Sequence, residues 1–301
     1  MKTVVRKIIA VSAYYLGIDA LFYWLNRKAK RIITFHHVLP DEYFRFDLPN
    51  GVSNSESEFR KIINAICKRY KFSTDLWDVN TCTITFDDGY LNQYEVAAKV
   101  LAEKSIPAFL FVAGDLINST EPLYVDKLLH WVQDKYGKDA SKIWANEFWP
   151  RFLRGDKINF DYDALVAKMD KNYYSIRMTG VSEQQLDDLR NRGWKIGWHT
   201  RSHRPLSSMH EDVVRHELNS PMEYRSVCLS YPFGNKVEVG GLAPIVAKEF
   251  GYPCAVANTN AEPITLYSLP RMSLSADELL IDFELSGFKY FLKYGKLLPK
   301  V

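Results

Sequence analysis

The sequence has little cysteine, and its cysteines form no recognisable pattern. The 301 residues contain no C-x-x-C pair, and the few cysteines are widely spaced and lie mostly among apolar residues: Cys67, Cys82, Cys228 and Cys254. A disulfide framework or a zinc knuckle needs more cysteines or a characteristic spacing. We therefore expect reduced thiols in the core, which is typical of proteins from a reducing compartment.

The sequence also lacks internal repeats and low-complexity tracts. Hydrophobic residues make up 47% of the chain and charged residues 25%, which are ordinary values for a globular protein. This composition excludes an intrinsically disordered chain. A chain of this length holds either one large α/β domain or two smaller domains.

Acidic residues are scarce at the N-terminus. The whole chain carries a net charge of +3, but residues 1–31 contain seven Lys and Arg residues against Asp19 alone. That segment therefore carries +6 and the rest of the chain −3. A net acidic body argues against a nucleic-acid partner, whereas the basic terminal segment suits an anionic lipid surface.

No apolar run is long enough for an ordinary transmembrane helix. The stretch IIAVSAYYLGIDALFYWL is apolar and aromatic, but its uncharged part ends at Ile18, short of the roughly 20 residues that a spanning helix needs. It also lacks the small-residue cleavage site of a signal peptide. We expect residues 1–31 to form a basic and apolar N-terminal helix that lies at a membrane interface or packs on the domain. An uncleaved anchor or signal is the alternative.

Beyond residue 31, short apolar strands alternate with amphipathic helices. IITF, TCTITF, IPAFLFV and WKIGWH are predicted strands, and stretches such as SESEFRKIINAICKRY between them are predicted helices. This alternation predicts a parallel sheet covered by helices, and the number of units favours a closed or nearly closed (β/α) barrel within residues 32–301. Residues 115–180 interrupt the alternation, and we interpret them as a helical insertion that covers the barrel.

Polar residues follow four of the predicted strands. His36 and His37 follow IITF, Asp87 and Asp88 follow TCTITF, His199 ends WKIGWH, and the motif SYPFG ends a fourth strand. In a (β/α) barrel the carboxyl ends of the strands form the functional face. Two adjacent carboxylates at the end of a buried strand need a cation or hydrogen-bond donors to stay ionised. These residues therefore predict a cation site at that face.

Two histidines have the spacing of a metal site. His199 and His203 are four residues apart in GWHTRSHRPL, so a helical turn would place both imidazoles on one side. Two imidazoles and one carboxylate are a common ligand set for a zinc-like ion with an open position. The alternatives are surface histidines near a turn and, for Asp87 and Asp88, a helix N-cap followed by an exposed acid.

Together these motifs resemble a known family. TFDDGY, followed roughly 110 residues later by HTRSHRPL and then by SYPFG and LPR, is similar to the polysaccharide deacetylases of carbohydrate esterase family 4, which have the NodB-homology fold. The resemblance covers most of residues 32–275. It implies a distorted (β/α) barrel, a divalent metal that is usually zinc, and hydrolysis of an acetyl group from a sugar.

The resemblance also assigns roles to the polar residues. It implies that Asp88, His199 and His203 bind the metal. Asp87 matches the catalytic base, which takes a proton from water that the metal acidifies. The turn in SYPFG is a candidate for backbone N–H groups that stabilise the oxyanion.

Two functional groups of the family are missing from their usual positions. The chain has SYPF where most members have RxPY, so we expect Arg271 in SLPRMSL to hold the base, with a surface arginine as the alternative. Members usually also have a histidine general acid near the C-terminus, but no histidine follows His216. In a branch similar to the poly-N-acetylglucosamine deacetylases this acid lies on the first strand. His36 in ITFHHV matches it, with a pKa expected near neutrality, the alternative being a histidine satisfied in the core.

Three aromatic residues are candidate substrate contacts. Tyr231 and Phe233 lie in SYPFG, and Trp198 precedes the first metal histidine, where family members often have a small polar residue. Trp198 either narrows the pocket or stacks on a sugar face, and a core tryptophan is the alternative.

The motifs therefore predict a metal-dependent hydrolase that removes N-acetyl groups from amino-sugar units of a cell-envelope or exopolysaccharide glycan. An O-acetyl sugar esterase with the same site and a non-catalytic glycan-binding relative are the alternatives. The expected partner is a glycan containing N-acetylhexosamine, with peripheral membrane contact through residues 1–31. The expected location is the cytoplasm or the cytoplasmic face of a membrane, with export as the alternative.

Overall fold

The computed structural model describes residues 2–45, 48, 52–258 and 265–300. Within these residues, ten strands form one eight-stranded sheet and one two-stranded pair. The strands are β1 (Arg31–Phe35), β2 (His37–Leu39), β3 (Ser53–Ser55), β4 (Lys71–Phe72), β5 (Thr81–Asp88), β6 (Ala108–Val112), β7 (Lys195–Trp198), β8 (Leu229–Ser230), β9 (Ala255–Asn258) and β10 (Leu269–Arg271).

The large sheet is parallel and nearly closes on itself. Its strand order is β1-β5-β6-β7-β8-β9-β10, with β4 paired to the start of β5. Met272, directly after β10, donates its N–H to the Ile32 carbonyl of β1 (2.9 Å) and accepts from the Thr34 N–H (3.0 Å). These bonds join the last strand to the first, so the predicted nearly closed (β/α) barrel is confirmed.

Helices surround this barrel. The α-helices of the described residues are α1 (Lys2–Tyr15), α2 (Ile18–Leu25), α3 (Asp41–Phe44), α4 (Glu56–Cys67), α5 (Ala98–Ala102), α6 (Tyr124–Tyr136), α7 (Ala140–Ile143), α8 (Trp149–Leu153), α9 (Asp163–Val166), α10 (Lys171–Met178), α11 (Glu183–Asn191), α12 (Glu211–Leu218), α13 (Met222–Arg225), α14 (Lys236–Val239), α15 (Leu242–Glu249), α16 (Glu278–Leu285) and α17 (Phe288–Tyr294). Gln93–Ala97 and Trp144–Phe148 are π-helical, and Gly114–Leu116, Gly137–Asp139 and Leu206–Ser208 are 3₁₀-helical.

The strand side chains alternate between two hydrophobic cores. Ile33 and Leu110 pack in one cluster with Phe59 of α4, whereas the adjacent residues Ile32 and Phe109 belong to a separate cluster built from strand and strand-flanking residues. Successive side chains on a strand point to opposite faces of the sheet. The first cluster therefore lies between sheet and helices, and the second fills the inside of the barrel.

The segment interpreted as an insertion, residues 115–180, contains α6 to α10 and, within the described chain, no strand. Its own core includes Leu128, Val132 and Phe148. It is joined to the barrel through Asp126, which accepts hydrogen bonds from Tyr90 after β5 (2.5 Å) and from Arg177 (3.2 Å). This buried polar contact anchors α6 beside the carboxyl ends of the strands.

The predicted single N-terminal helix is instead two helices. Gly17 lies between α1 and α2 with φ 69°, a left-handed conformation that favours glycine and turns the chain. The pair packs on the C-terminal helix α16, where Arg6 binds Glu284 (2.9 Å) and Asp19 accepts from the Ser286 hydroxyl (3.1 Å). The alternative of a helix packed on the domain is therefore present in the fold.

No single helix of the described chain is long and apolar enough to span a membrane. Residues 4–15 and 18–25 satisfy the length and composition requirements only as a pair, and that pair is bent by 82°.

All four cysteines are free thiols. Cys82, Cys228 and Cys254 are buried, as the sequence suggested, whereas Cys67 is exposed at the end of α4.

Candidate metal and acid–base site

Asp87 and Asp88 end β5 and line one cavity of about 510 Å³. Asp88 has φ 85° and Gly89 has φ 94°, so the chain leaves the regular strand geometry at this point. Gln93 holds the turn: its side-chain N–H groups donate to the carbonyls of His36 (2.9 Å) and Asp87, and it accepts from the Gly89 N–H (3.1 Å). The ends of β1 and β5 are therefore fixed relative to each other.

Asp88, His199 and His203 form the predicted three-ligand cluster. The Asp88 Oδ1 atom lies 3.5 Å from His199 Nε2 and 3.3 Å from His203 Nε2. One potential ligand atom from each residue lies within 4.8 Å of the others, and all three side chains are buried. The convergence of these side chains confirms the geometry predicted for a metal site; the role itself stays a prediction.

The donor atoms of this cluster fit a divalent cation. His199 donates its Nδ1–H to the Ser230 carbonyl (2.8 Å), which leaves the Nε2 lone pair facing Asp88. Asp88 Oδ1 and His199 Nε2 are buried and have no hydrogen-bond partner among the described residues. Burial raises the pKa of Asp88 well above its usual value, and the nearby carboxylates of Asp126 and Asp87 add to this effect. A bound cation would be a partner for both of these atoms and would stabilise the ionised form of Asp88.

The loop that carries the histidines is not the predicted helical turn. Thr200 and His203 have φ values of 65° and 56°, which are incompatible with a right-handed helix. Glu217 of α12 shapes the loop instead, because its carboxylate accepts from the Ser202 hydroxyl (2.5 Å) and N–H (2.8 Å), and its carbonyl accepts from the Arg201 N–H (3.0 Å).

Arg271 binds Asp87 through two parallel hydrogen bonds. Nη1 donates to Oδ1 (2.7 Å) and Nη2 to Oδ2 (2.6 Å), and Ser230 Oγ also donates to Oδ1 (3.1 Å). Arg271 is 2% exposed, so the alternative of a surface arginine is wrong. Arg271 is the last residue of β10. Burial alone would raise the pKa of Asp87, but Arg271 and His199 outweigh it and hold that pKa below its usual range.

His36 also lies at Asp87, whereas His37 does not. His36 Nε2 is 3.8 Å from Asp87 Oδ2. Burial lowers the pKa of His36 to about 4, with Asp87 opposing the shift, so the expectation of a near-neutral pKa is wrong. His37 is buried against the Tyr90 ring, and its Nδ1 lies 3.1 Å from Asn92 Nδ2.

The three predicted substrate contacts differ in position. Phe233 lines the cavity, and its ring centroid lies 4.8 Å from that of His203. Trp198 is buried, donates its indole N–H to the Glu217 carbonyl (2.9 Å) and packs on Tyr224, so it is the core residue of the alternative interpretation. Tyr231 is fully buried and its side chain does not line the cavity.

The sequence analysis missed several residues of this site. Glu217 had a signal: it shares a helix face with buried Val214 and Leu218, where an acidic residue is out of place. For Glu238 we recognise no such sequence signal, because α14 is too short to show a hydrophobic periodicity. It is 8% exposed, lines the cavity, and its Oε2 has no hydrogen-bond partner in the described part of the chain.

One family model and several solved structures match this chain. The polysaccharide deacetylase family model matches residues 78–235, just over half of the chain. The structure of the deacetylase PplD of Streptococcus pyogenes, solved with acetate, covers 83% of this chain and 96% of its own, with 14% identity and a TM-score of 0.51. The structure of IcaB from Ammonifex degensii covers 86% and 97%, with 14% identity and a TM-score of 0.53. At such identities the two structures support the fold alone.

No curated protein sequence matches this chain. The family match spans both Asp87 and Asp88 at its start and the histidine and SYPFG motifs at its end. The chain belongs to the polysaccharide deacetylase family.

Proposed function

We propose that this protein is a metal-dependent hydrolase that removes N-acetyl groups from amino-sugar units of a cell-envelope or exopolysaccharide glycan. The observation that carries the proposal is the pairing of two units in one cavity: the cluster of Asp88, His199 and His203, and a carboxylate, Asp87, held by Arg271. A binding protein has no need for an ionised base beside a metal site.

Asp88, His199 and His203 would hold the metal, which we propose to be zinc. When bound, such an ion polarises the acetyl carbonyl and lowers the pKa of water. Asp87 accepts the proton of the attacking water, and its ion pair with Arg271 keeps it ionised and correctly oriented.

His36 is the proposed general acid. Asp87 would pass the proton taken from water to His36, whose Nε2 lies 3.8 Å from Asp87 Oδ2. His36 would then donate that proton to the leaving amine. Its lowered pKa makes the imidazolium a stronger acid than an ordinary histidine, which favours that second transfer.

Phe233 is the proposed backbone donor to the oxyanion. In the SYPFG turn, Tyr231 donates its N–H to Val256 and Gly234 donates to Pro232, whereas Pro232 has no N–H. Phe233 has φ 62° and lies beside His203. Its N–H is therefore the candidate within this turn.

The test is a joint measurement of metal content and acetate release. The full-length protein and its His203→Ala variant are loaded with zinc, dialysed, and given short N-acetylglucosamine oligomers. We expect about one ion per wild-type chain with acetate release, and neither in the variant. Metal binding without release from these amides, but with release from O-acetyl sugars, would replace the proposal by the esterase alternative. An absence of metal binding in the wild type would refute both.

We also propose that the N-terminal helix pair contacts a membrane surface from the cytoplasmic side. Its outer side exposes large apolar and aromatic residues: Val4, Val5, Ile8, Tyr14, Tyr15, Leu16, Leu21 and Trp24. A side chain such as Leu16, at 74% exposure, is costly to leave in water. Arg27 and Lys28 of the same segment are exposed and would favour anionic lipid, whereas Lys30 and Arg31 are buried and Arg6 and Lys7 bind acidic residues of the protein.

A further inference from the structure

The catalytic cavity is lined by two chemically different sets of residues. The strand ends contribute the polar set already described, including Asp87, Asp88 and His203. The insertion contributes a surface that we call the apolar wall: Val125, Leu129, Val132, Ala140, Trp144 and Trp149. The mechanism proposed above makes no use of this wall.

The apolar wall is continuous. Val125, Leu129 and Val132 are spaced four and three residues apart, so they lie on one face of α6. Trp144 and Trp149 belong to the following helical segments, and their ring centroids are 5.9 Å apart. Val125, Leu129, Trp144 and Trp149 belong to one hydrophobic cluster, so the apolar surface continues from α6 to the segments that carry the tryptophans.

The apolar wall also begins at the metal cluster. The His203 and Phe233 ring centroids are 4.8 Å apart, and those of Phe233 and Trp149 are 5.0 Å apart. Ring contacts thus lead from a proposed metal ligand to the wall. A substrate whose amide lies at the metal would have another part of its structure against these side chains.

Charge on the insertion side of the cavity is compensated within the protein. Asp126 is the charged residue that the described part of the insertion adds to the lining. It already binds the Tyr90 hydroxyl (2.5 Å) and Arg177 (3.2 Å). The insertion side of the cavity therefore presents mainly aliphatic and indole surface, beside a neutralised carboxylate and the polar side chains of Gln133 and Ser141.

We propose that the substrate carries an apolar chain that lies along the apolar wall, so that the substrate is an amphiphilic amino-sugar derivative. This inference rests on the proposed function. The indole rings would also accept the face of a sugar, but sugar hydroxyl groups placed against Val125, Leu129 and Val132 would lose water without gaining hydrogen-bond partners. Each methylene buried there would instead increase affinity about fourfold. The apolar chain is attached at the anomeric carbon, with acetate as the released acid, or it is the acyl group of the amide, with a longer fatty acid released in place of acetate; the free amine is the second product in both cases.

The test uses three soluble probes with the zinc-loaded full-length protein. They are the methyl and octyl glycosides of N-acetylglucosamine and the methyl glycoside of N-octanoylglucosamine, all below their micelle concentrations. Release of the free amine is measured for each. We expect KM to be at least tenfold lower for one of the octyl probes than for the methyl N-acetyl probe. The probe that shows the decrease identifies the attachment point.

Two variants test whether the lower KM for an octyl probe depends on the apolar wall. Leu129→Gln places an amide in it, and Ala145→Trp fills the cavity from an exposed lining position that tolerates a large side chain. Both should abolish the preference while keeping turnover of the methyl probe. Ile245→Gln is the matched control, because Ile245 is 55% exposed on α15 and does not line the cavity. It should keep the preference.

Two results would overturn the inference: equal KM values for all probes in the wild type, or a preference that survives in both variants. Failure of the proposed function would give a different result. Probe binding is measured in the Asp87→Asn variant, which should not hydrolyse the probes, from the fluorescence of the tryptophans in the apolar wall. If no probe is hydrolysed by the wild type but the octyl probe still binds more tightly than the methyl probe, the wall assignment stands and the hydrolase proposal falls.

Discussion

At the scale of single residues, Asp87 and Asp88 are chemically identical neighbours in opposite electrostatic surroundings. Arg271 holds the pKa of Asp87 below its usual range in spite of burial. Burial raises the pKa of Asp88, with Asp126 and Asp87 adding to the shift. One carboxylate is therefore ionised by the protein itself, whereas the other depends on a cation. This difference fits the roles proposed for them, Asp87 as the base and Asp88 as a metal ligand.

Replacement of the arginine tests these roles. In Arg271→Lys, the two parallel hydrogen bonds to Asp87 become one, so the base is less fixed and its pKa rises. We expect kcat to fall about 10- to 100-fold, since a charge-assisted hydrogen bond is worth about 1.5–3 kcal/mol. The acidic limb of the kcat/KM profile should move to higher pH, with zinc content unchanged.

The matched control is Arg69→Lys, which alters an arginine that binds Asp282 on the surface (3.2 Å). It should leave the rate and the pH profile unchanged. If Arg271→Lys keeps the wild-type rate and profile, Arg271 does not position the base.

The sequence predicted the residues that form this site better than the residues that hold them in position. Asp88, His199 and His203 lie in short motifs that match the family resemblance, and Arg271 was predicted as the substitute for the arginine that the resemblance places in RxPY. Glu217 was missed, because its partners are formed by loop geometry that no periodicity encodes.

At the scale of elements, α12 controls the loop that carries the metal histidines. Glu217→Gln removes the charge that binds Ser202 and keeps the shape of the side chain. We expect zinc affinity to fall about tenfold, because residues behind a metal site typically affect affinity by 10- to 100-fold. Competition with a chromophoric chelator measures the change. Glu211→Gln, on the exposed start of the same helix, should retain wild-type affinity, and equal affinities in both variants would contradict the role of Glu217.

The helix pair α1 and α2 gives a second prediction at this scale. Tyr15→Ser combined with Leu16→Ser removes two side chains that are 81% and 74% exposed. We expect at least a fivefold loss of cosedimentation with anionic vesicles and little binding of either protein to neutral vesicles. Met222→Ser, a change at an exposed apolar residue of α13, should bind as the wild type does. Unchanged binding of the double variant would refute the proposed membrane contact.

The N-terminal segment also shows where element prediction failed. Its apolar composition predicted one helix, but Gly17 adopts a left-handed conformation and the chain turns. Composition does not show whether a glycine inside an apolar run is helical or is a turn, because the packing of α1 and α2 on α16 decides that. The barrel was predictable because its strands and helices differ clearly in periodicity.

At the scale of the whole molecule, four histidines with lowered pKa values make the fold sensitive to acid. Burial lowers the pKa of His36 to about 4 and also lowers those of His37, His199 and His203. Below pH about 6.5 the unfolded chain protonates these groups while the folded chain resists, so acid favours unfolding. The raised pKa values of Asp19, Asp88 and Asp115 oppose this effect, as three groups against four.

We therefore expect the free energy of unfolding of the chelator-treated protein to decrease as the pH falls from 6.5 towards 4. Each histidine contributes up to about 1.4 kcal/mol per pH unit. Urea titrations between pH 5 and 7 measure the slope. His37→Gln should reduce it, whereas His210→Gln, at an exposed position, should not. A flat profile in the wild type would show that these histidines titrate normally.

The ion pair between Asp87 and Arg271 joins residues 184 positions apart. A ribosome releases the chain from its N-terminus, so both metal histidines leave the exit tunnel well before β10 is available. Until then Asp87 has no guanidinium partner, and Met272 has not joined β10 to β1. An unfinished chain would therefore hold the proposed metal ligands without an oriented base. On the proposed mechanism, hydrolysis would begin only after β10 has left the ribosome and the barrel has closed.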